Sequence, residues 1–586
     1  MKRTKNLIDL LVVAILISVP YLVNSQNFVP YSTTLPNVAQ GSCDWADIDN
    51  DGYLDLAMMG ANSIGQPLTK IFRNNAGVFI DIDANLIGLK NGSLRFGDYD
   101  RDGDYDLLVC GSDFSSKPHS LLYKNDNGSF SQSSNTFQGI YNGMAIFVDY
   151  DNDGLLDIFL SGDTLSYKGF TRIYHNLGND NFEEVDFGFP GVISSSLSYG
   201  DYDNDGDFDL LLSGDIGGAY YTKLFRNDMG LFIEIPTNIE GVGAGFSLFM
   251  DFDKDGDHDI LLMGNDLTLT PIFKIYRNDG NGSLQEVFVG ITGLALGNIS
   301  IADYNSDGYP DFATTGKAPG CGAMMSVLFY NNQIGSFWPS SQNLVDLSYS
   351  YSSWADFDND GDSDLLLMGI STSGNPETVL YSNTLNSNGF VPNLPPFAPI
   401  DLSSEMNGNE LILKWKPSPY NTNGKNIFYN VRVGLNPGSS EIMSTASNVL
   451  SGQMLLPSFS NVTQDTFWIL QGLREADYFW SVQTIDPSYS ASEFAPEETF
   501  SIAYTGIAPI QEKKQFFDYR VYADRIELIS QNQGKWSLFS VDGIEIKNGN
   551  LGFGKSNVSL LGIARGIYIL RIETEDNHAA LKFLKR

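Results

Sequence analysis

Cysteine and histidine are scarce in this 586-residue chain, with three of the first and four of the second. Cys43, Cys110 and Cys321 are too few to make a disulfide framework in so long a chain. His119, His175, His258 and His578 sit in no catalytic or zinc-binding spacing, and neither H-E-x-x-H nor G-x-S-x-G occurs. Basic residues are also few, 35 against 71 acidic ones, so the formal charge is −36. Nucleic acid and anionic membrane would both be repelled, which excludes them as partners. Missing too is the three-to-four apolar spacing of amphipathic helices. Short apolar runs bounded by Gly, Asn and Asp recur instead, the pattern of an all-β protein. At this length one core cannot serve, and several domains are expected.

The N-terminus is basic and then apolar. Lys2, Arg3 and Lys5 precede a run from Leu10 to Leu22, followed by Val23-Asn24-Ser25. This predicts a secretory signal peptide over residues 1–25, cut before Gln26. The run of about 13 apolar residues is short of the roughly 20 a bilayer needs. No other segment is apolar enough to span, and no cysteine marks a lipoprotein cut site.

What the chain does have is one loop, seven times. D-x-D-x-D-G-x-x-D stands at 47–55, 98–106, 149–157, 201–209, 251–259 and 356–364, and a variant, DYNSDGYPD, stands at 303–311. These windows hold 31 of the 71 acidic residues. Alternate carboxylates converge only where the chain curls, and Gly at position 6 permits the curl. Hard oxygen ligands alone, with no imidazole or thiolate, select calcium over zinc or copper, so up to seven calcium ions are expected. The expected ligands are Asp47, Asp49, Asp51 and Asp55 in the first loop, and Asp98, Asp100, Asp102 and Asp106 in the second. Asp149, Asp151, Asp153 and Asp157 form the third set, and Asp201, Asp203, Asp205 and Asp209 the fourth. The fifth is Asp251, Asp253, Asp255 and Asp259, and the sixth Asp303, Asn305, Asp307 and Asp311. The seventh is Asp356, Asp358, Asp360 and Asp364. Position 7 would add a backbone carbonyl, from Tyr53, Asp104, Leu155, Asp207, Asp257, Tyr309 and Asp362 in turn.

EF-hand and dockerin loops share this opening but lead into helices. Here a short apolar run and a Gly follow each loop, ending at Gly60, Gly111, Gly162, Gly214, Gly264, Gly316 and Gly369, which suits a buried strand. An aromatic-x-Asn pair follows in every repeat, from Phe72/Asn74 to Tyr381/Asn383, with a Gly-containing turn after it. Each repeat of about 50 residues therefore reads as four antiparallel strands, one propeller blade. The Asn is expected to close the turn and the aromatics to fill space between blades. Phe28-Val29-Pro30 and Phe390-Val391-Pro392 both look like a last strand, so either could complete the seventh blade.

These loops and strands resemble the FG-GAP/VCBS propeller repeats known from integrin α-subunit heads, over residues 28–390. The resemblance implies a seven-bladed propeller, residues 26–392, with calcium in the loops. Integrins keep the motif in only some blades, so a close functional parallel is not implied. After a Pro-rich linker at 393–399, residues 400–503 resemble a fibronectin type III sandwich, on Trp415 and on ADYFWSVQTID at 476–486, with Tyr478 as the tyrosine-corner residue. A second linker covers 504–514. Residues 515–586 resemble the C-terminal sorting domain of the Bacteroidetes type IX secretion system, on VDG at 541–543, RGIYILRI at 565–572 and the terminal Lys582, Lys585 and Arg586. That implies the secretion machinery as a partner, and an outer-surface or extracellular location after periplasmic transit.

Without a catalytic constellation, the chain reads as an extracellular binder of a glycan or surface protein rather than an enzyme. A calcium-dependent polysaccharide lyase and a ligand-free structural protein are the alternatives. The variable connections between the second and third strands of each blade lie on the face opposite the aspartate loops, where recognition loops are expected. Tyr167, Phe170, Tyr220 and Tyr221 are the candidate ligand-stacking residues there. Cys321, within GCG, reads as a loop residue. His175 fills a slot held by Arg73, Lys124 and Arg226 elsewhere and is expected to face solvent.

Overall fold

A computed structural model describes residues 27–585, apart from 386–394, 420–426, 503–516, most of 441–465 and short gaps that include single positions in the aspartate loops. The expected signal peptide, Phe390–Pro392 and Tyr167 lie outside the described residues. The described residues contain strands and no helix, and none of them forms a helix long and apolar enough to cross a membrane. The chain divides into two compact units, Met1–Ile502 and Ala503–Arg586.

In the first unit six repeats each make one four-stranded antiparallel sheet in chain order, and the seventh supplies three strands of a similar sheet. Blade 1 is typical: Cys43–Ala46, Asp55–Ala61, Pro67–Asn75 and Val78–Asp81. The second strand is buried along its whole length, which is why its sequence runs apolar rather than alternating. Its residues serve two neighbours. Leu56 and Met58 pack against blade 7, whereas Ala57 and Met59 pack against blade 2. The same division recurs around the ring, so the core is seven layers, each lying between two blades.

The Gly that ends this strand has a steric reason. In six blades its φ lies between 143° and 159°, and a Cβ on Gly60 would stand 2.8 Å from the Ala39 carbonyl oxygen of the passing chain.

First strands touch from blade to blade all the way round, which makes them the inner wall of a closed ring. Side chains there take up N–H groups of the next blade's first strand: Ser42 accepts from Leu94 at 2.9 Å, Ser93 from Ala145 at 2.8 Å, and Asn298 from Ser352 at 2.8 Å. The seam is decided by Phe28–Tyr31, which pairs antiparallel with Pro376–Asn383 as the fourth strand of blade 7. An N-terminal strand thus covers what would be an exposed sheet edge.

Beyond the propeller, two three-stranded sheets enclose one core that includes Trp415, Val431, Tyr478 and Trp480. Tyr478 is buried and stacks on Phe500 at 4.8 Å. In the second unit a three-stranded and a four-stranded sheet share a core containing Leu528, Trp536, Leu538 and Leu570.

Candidate metal centres and ligand face

Each aspartate loop is held by the same hydrogen bonds. The position-1 carboxylate accepts the position-5 N–H in all seven, as in Asp51 to Asp47 at 3.0 Å and Asp307 to Asp303 at 3.0 Å. The position-5 carboxylate accepts the position-7 N–H, as in Tyr53 to Asp51 at 2.9 Å. In the two loops where position 6 is described it takes the left-handed backbone that glycine favours, with φ 85° at Gly308 and 94° at Gly361.

Position 9 is the deepest. Asp55, Asp106, Asp157, Asp209, Asp259 and Asp311 are fully buried, and Asp364 is nearly so. One oxygen accepts the Asn N–H of the third strand in every blade, at 2.6–2.8 Å. In six blades the other accepts the position-2 N–H, as in Ile48 to Asp55 at 3.0 Å. The aromatic-x-Asn pair is therefore part of the loop. Its amide also reaches the preceding blade: Asn74 donates to Phe357 O at 2.7 Å, Asn227 to Tyr150 O at 2.7 Å, and the remaining five do likewise. Seven such bonds stitch the ring. In six blades the Asn oxygen also closes the following turn, as Gly77 to Asn74 at 2.8 Å shows.

Positions 1, 3 and 9 converge. Asp47, Asp49 and Asp55 offer oxygens within 4.8 Å of one another, and the same holds for loops two, three and four. Position 5 gives one oxygen, Oδ1, to the turn. Burial pushes the position-9 carboxyls up, Asp55 to about 7, Asp209 to about 8 and Asp106 to about 9. Oδ1 of Asp49, Asp100, Asp151, Asp253 and Asp358 is buried and receives no hydrogen bond. Clustered carboxylates that are buried, raised in pKa and left with a bare oxygen are the donor set a hard divalent cation fits.

The residue between the aromatic and the Asn acts on these carboxylates. Arg73 lies 2.7 Å from Asp49, Lys124 2.9 Å from Asp102, and Arg226 3.8 Å from Asp203. His175 does the same rather than facing solvent. Its Nδ1 lies 3.0 Å from Asp157, and that bond, opposed by burial, pushes the imidazole up to about 9. With Asp151 and Asp153, His175 forms a further group whose ligand atoms lie within 4.8 Å of one another, which its solvent-facing reading had hidden.

His258, a variable position by sequence, is structural. Its ring is buried, stacks on Phe428 of the adjoining sandwich at 5.6 Å, and donates from Nδ1 to Asp201 O at 2.8 Å. Burial pushes its pKa down to about 4. Asp486 of the same sandwich adds its charge to the field on Asp303 of the sixth loop.

On the opposite face, the described aromatic candidates Phe170, Tyr220 and Tyr221 are half-buried. Tyr221 joins the core between blades 3 and 4, Tyr220 lies where a Cβ on Gly243 would meet its ring, and Phe170 packs between blades 2 and 3 under Arg172. The exposed side chains are different ones. Phe114, Leu165, Ile216 and Leu267 are 76, 68, 42 and 70% exposed. Phe114, Leu165 and Leu267 each follow directly the residue that opens the hairpin, Asp113, Thr164 and Asp266, whereas in the shorter hairpin of blade 4 Ile216 itself holds the opening position. Those openers bond across the tip, as Ser115 and Lys117 N–H to Asp113 and Thr268 and Thr270 N–H to Asp266 show. Those three openers each stand seven residues after the position-9 Asp of their loop, a signal present in the sequence but hidden there by the more conspicuous tyrosines. Ile64, Leu269 and Phe288 are exposed on the same face.

Four segments, 47–109, 98–160, 149–212 and 251–314, match the FG-GAP-like repeat. The propeller is thus built at least in part from FG-GAP-like repeats, and the loop and Asn bonds above extend the same geometry to the remaining blades. No curated protein matches the chain. Among solved structures it is similar to the extracellular domain of a B. thetaiotaomicron hybrid two-component system protein, with 11% identity, 81% of this chain and 57% of that one covered, and a TM-score of 0.37. A one-component system extracellular domain from the same organism gives 11%, 82%, 58% and 0.35. A two-domain fibronectin type III segment of chicken tenascin gives 12% identity, 32% of this chain, 98% of that one and a TM-score of 0.13. The chain spans under two thirds of the two bacterial proteins it matches.

Proposed function

We propose that this chain is an exported, calcium-loaded propeller that binds a protein surface outside the cell through the face carrying the second-to-third-strand hairpins. The observation that carries this reading is the apolar residue exposed in the hairpins of four successive blades, Phe114, Leu165 and Leu267 at one register and Ile216 one position before it. Exposed apolar groups repeated on one face of a rigid scaffold mark an interaction surface. Three of the four are aliphatic, which suits a protein partner better than the flat faces of a glycan. Calcium in the opposite face would rigidify the scaffold, held by positions 1, 3 and 9 of each loop. The signal peptide and the C-terminal unit would supply the route outward.

The test is retention of the calcium-loaded protein on arrays of extracellular proteins and of polysaccharides, with new unsaturated sugar ends scored in parallel. Replacing Phe114, Leu165, Ile216 and Leu267 together by Ser should weaken protein retention at least tenfold while leaving melting and calcium content unchanged. Retention on polysaccharide alone, or release of unsaturated ends, would refute the reading.

A further inference from the structure

Four first strands bring polar side chains to one level of the axial channel. Asp44 of blade 1 and Arg95 of blade 2 stand at the same register, three residues before their aspartate loops. Arg95 reaches past blade 1 and donates from Nη2 to the Tyr351 hydroxyl of blade 7 at 2.9 Å. Its Nη1 donates to Leu94 O at 2.8 Å, and its guanidinium carbon lies 5.9 Å from the Tyr351 ring centroid. Asp44 accepts the Phe96 N–H through Oδ2 at 2.8 Å, and the Arg95 charge acts on it. Tyr199 of blade 4 is exposed, and the charges of both Arg95 and Asp44 act on its phenol. Ser198 and Ser353, at the same register as Asp44 and Arg95, are half-exposed, so solvent enters at this level.

Arg95 is the unusual member. Arg73, Arg172, Arg226 and Arg277 of the propeller each hold a carboxylate at 2.7–3.0 Å. Arg95 holds none among the described residues, although a guanidinium has five donors and only two hydrogen bonds account for them here. A cation enclosed by protein on most sides attracts an anion far more strongly than one at an open surface, and its planar fork matches a carboxylate. Asp44 beside it would repel a second negative charge but accepts hydroxyl hydrogens.

We propose that the axial channel is a binding site for a hydroxylated monocarboxylate, its carboxylate on Arg95 and its hydroxyls on Asp44 and Tyr199. The site is separate from the hairpin face and stands whether or not that face binds protein.

Calorimetric titration of the calcium-saturated full chain with glucuronate tests it, with glucose and sulfate as neutral and hydroxyl-free controls. Phosphate and citrate are avoided because they take calcium. Glucuronate should bind at least tenfold more tightly than either control, and Arg95→Gln should lose at least tenfold while keeping the wild-type melt. Should Arg95→Gln fail to fold, Tyr351→Phe retains the charge but frees its orientation and should weaken binding several-fold. No glucuronate binding by the wild type, sulfate binding as tight as glucuronate, or binding unchanged in a folded variant would overturn the proposal.

Discussion

Asn227 shows how much one side chain can carry. Its amide bonds the Phe208 and Tyr150 carbonyls, and its oxygen takes the Gly230 N–H. Asn227→Ala deletes all three and leaves buried backbone groups unpaired, at a cost of about 2–4 kcal/mol. Asn383 makes the same two amide bonds, but its buried oxygen receives none. Asn383→Ala should therefore cost less, and denaturant melts of the two variants will show whether it does. The role of these asparagines in closing the turn was legible from the Gly that follows. Their bond to the preceding blade was not, because its acceptor stands 76 to 283 residues away.

Loops differ at the scale of the element. The seventh has five carboxylates, and Ser382 occupies the slot where the first five blades carry a basic residue. The sixth has three carboxylates, and Lys254 of the fifth loop donates to its Gly308 O at 2.7 Å. Affinity rises with ligand charge and falls with a competing cation. The sixth site should empty first and the seventh last as calcium is withdrawn, which crystals soaked in graded calcium will reveal. An occupied sixth site beside an empty seventh would contradict this. Asn305 marked the weak loop in the sequence, whereas Lys254 required two blades to be side by side.

At the scale of the whole molecule, seven calcium ions would bring fourteen positive charges to 31 acidic residues. The raised carboxyls give the metal-free protein a defined pH dependence. A group with a higher pKa folded than unfolded takes up a proton on folding between the two values. Stability then falls as pH rises from about 4 through the folded pKa. Those values are about 7 for Asp55 and Asp356, and about 8 for Asp209 and Asp303. After chelation the melt should be lower at about pH 8 than at about pH 5.5, and saturating calcium should reverse that order, because ligands must be ionised to bind. Calorimetry at both pH values decides; a melt insensitive to confirmed metal loss would exclude a stabilising role. The last unit has its own core, so deleting 515–586 should leave the propeller folded but held in the periplasm if this unit is the export signal. Fractionation of cells carrying the deletion is the measurement, and surface delivery of the shortened chain would remove that role.

Fold class, blade count and the acidic loops were set by the sequence alone, because each depends on residues within nine positions or on a period repeated seven times. The hydrophobic run after each loop sufficed to give a buried central strand, since burial on both faces leaves no alternation. Tertiary structure alone decided the rest. Phe28–Tyr31 closes blade 7 because it meets Pro376–Asn383 across the ring. Tyr220 and Tyr221 are half-buried while Phe114 and Leu165 are exposed, because exposure at a hairpin depends on the neighbouring blade. Arg95 meets Tyr351 only once the ring is shut, a contact between residues 256 apart that no local pattern encodes.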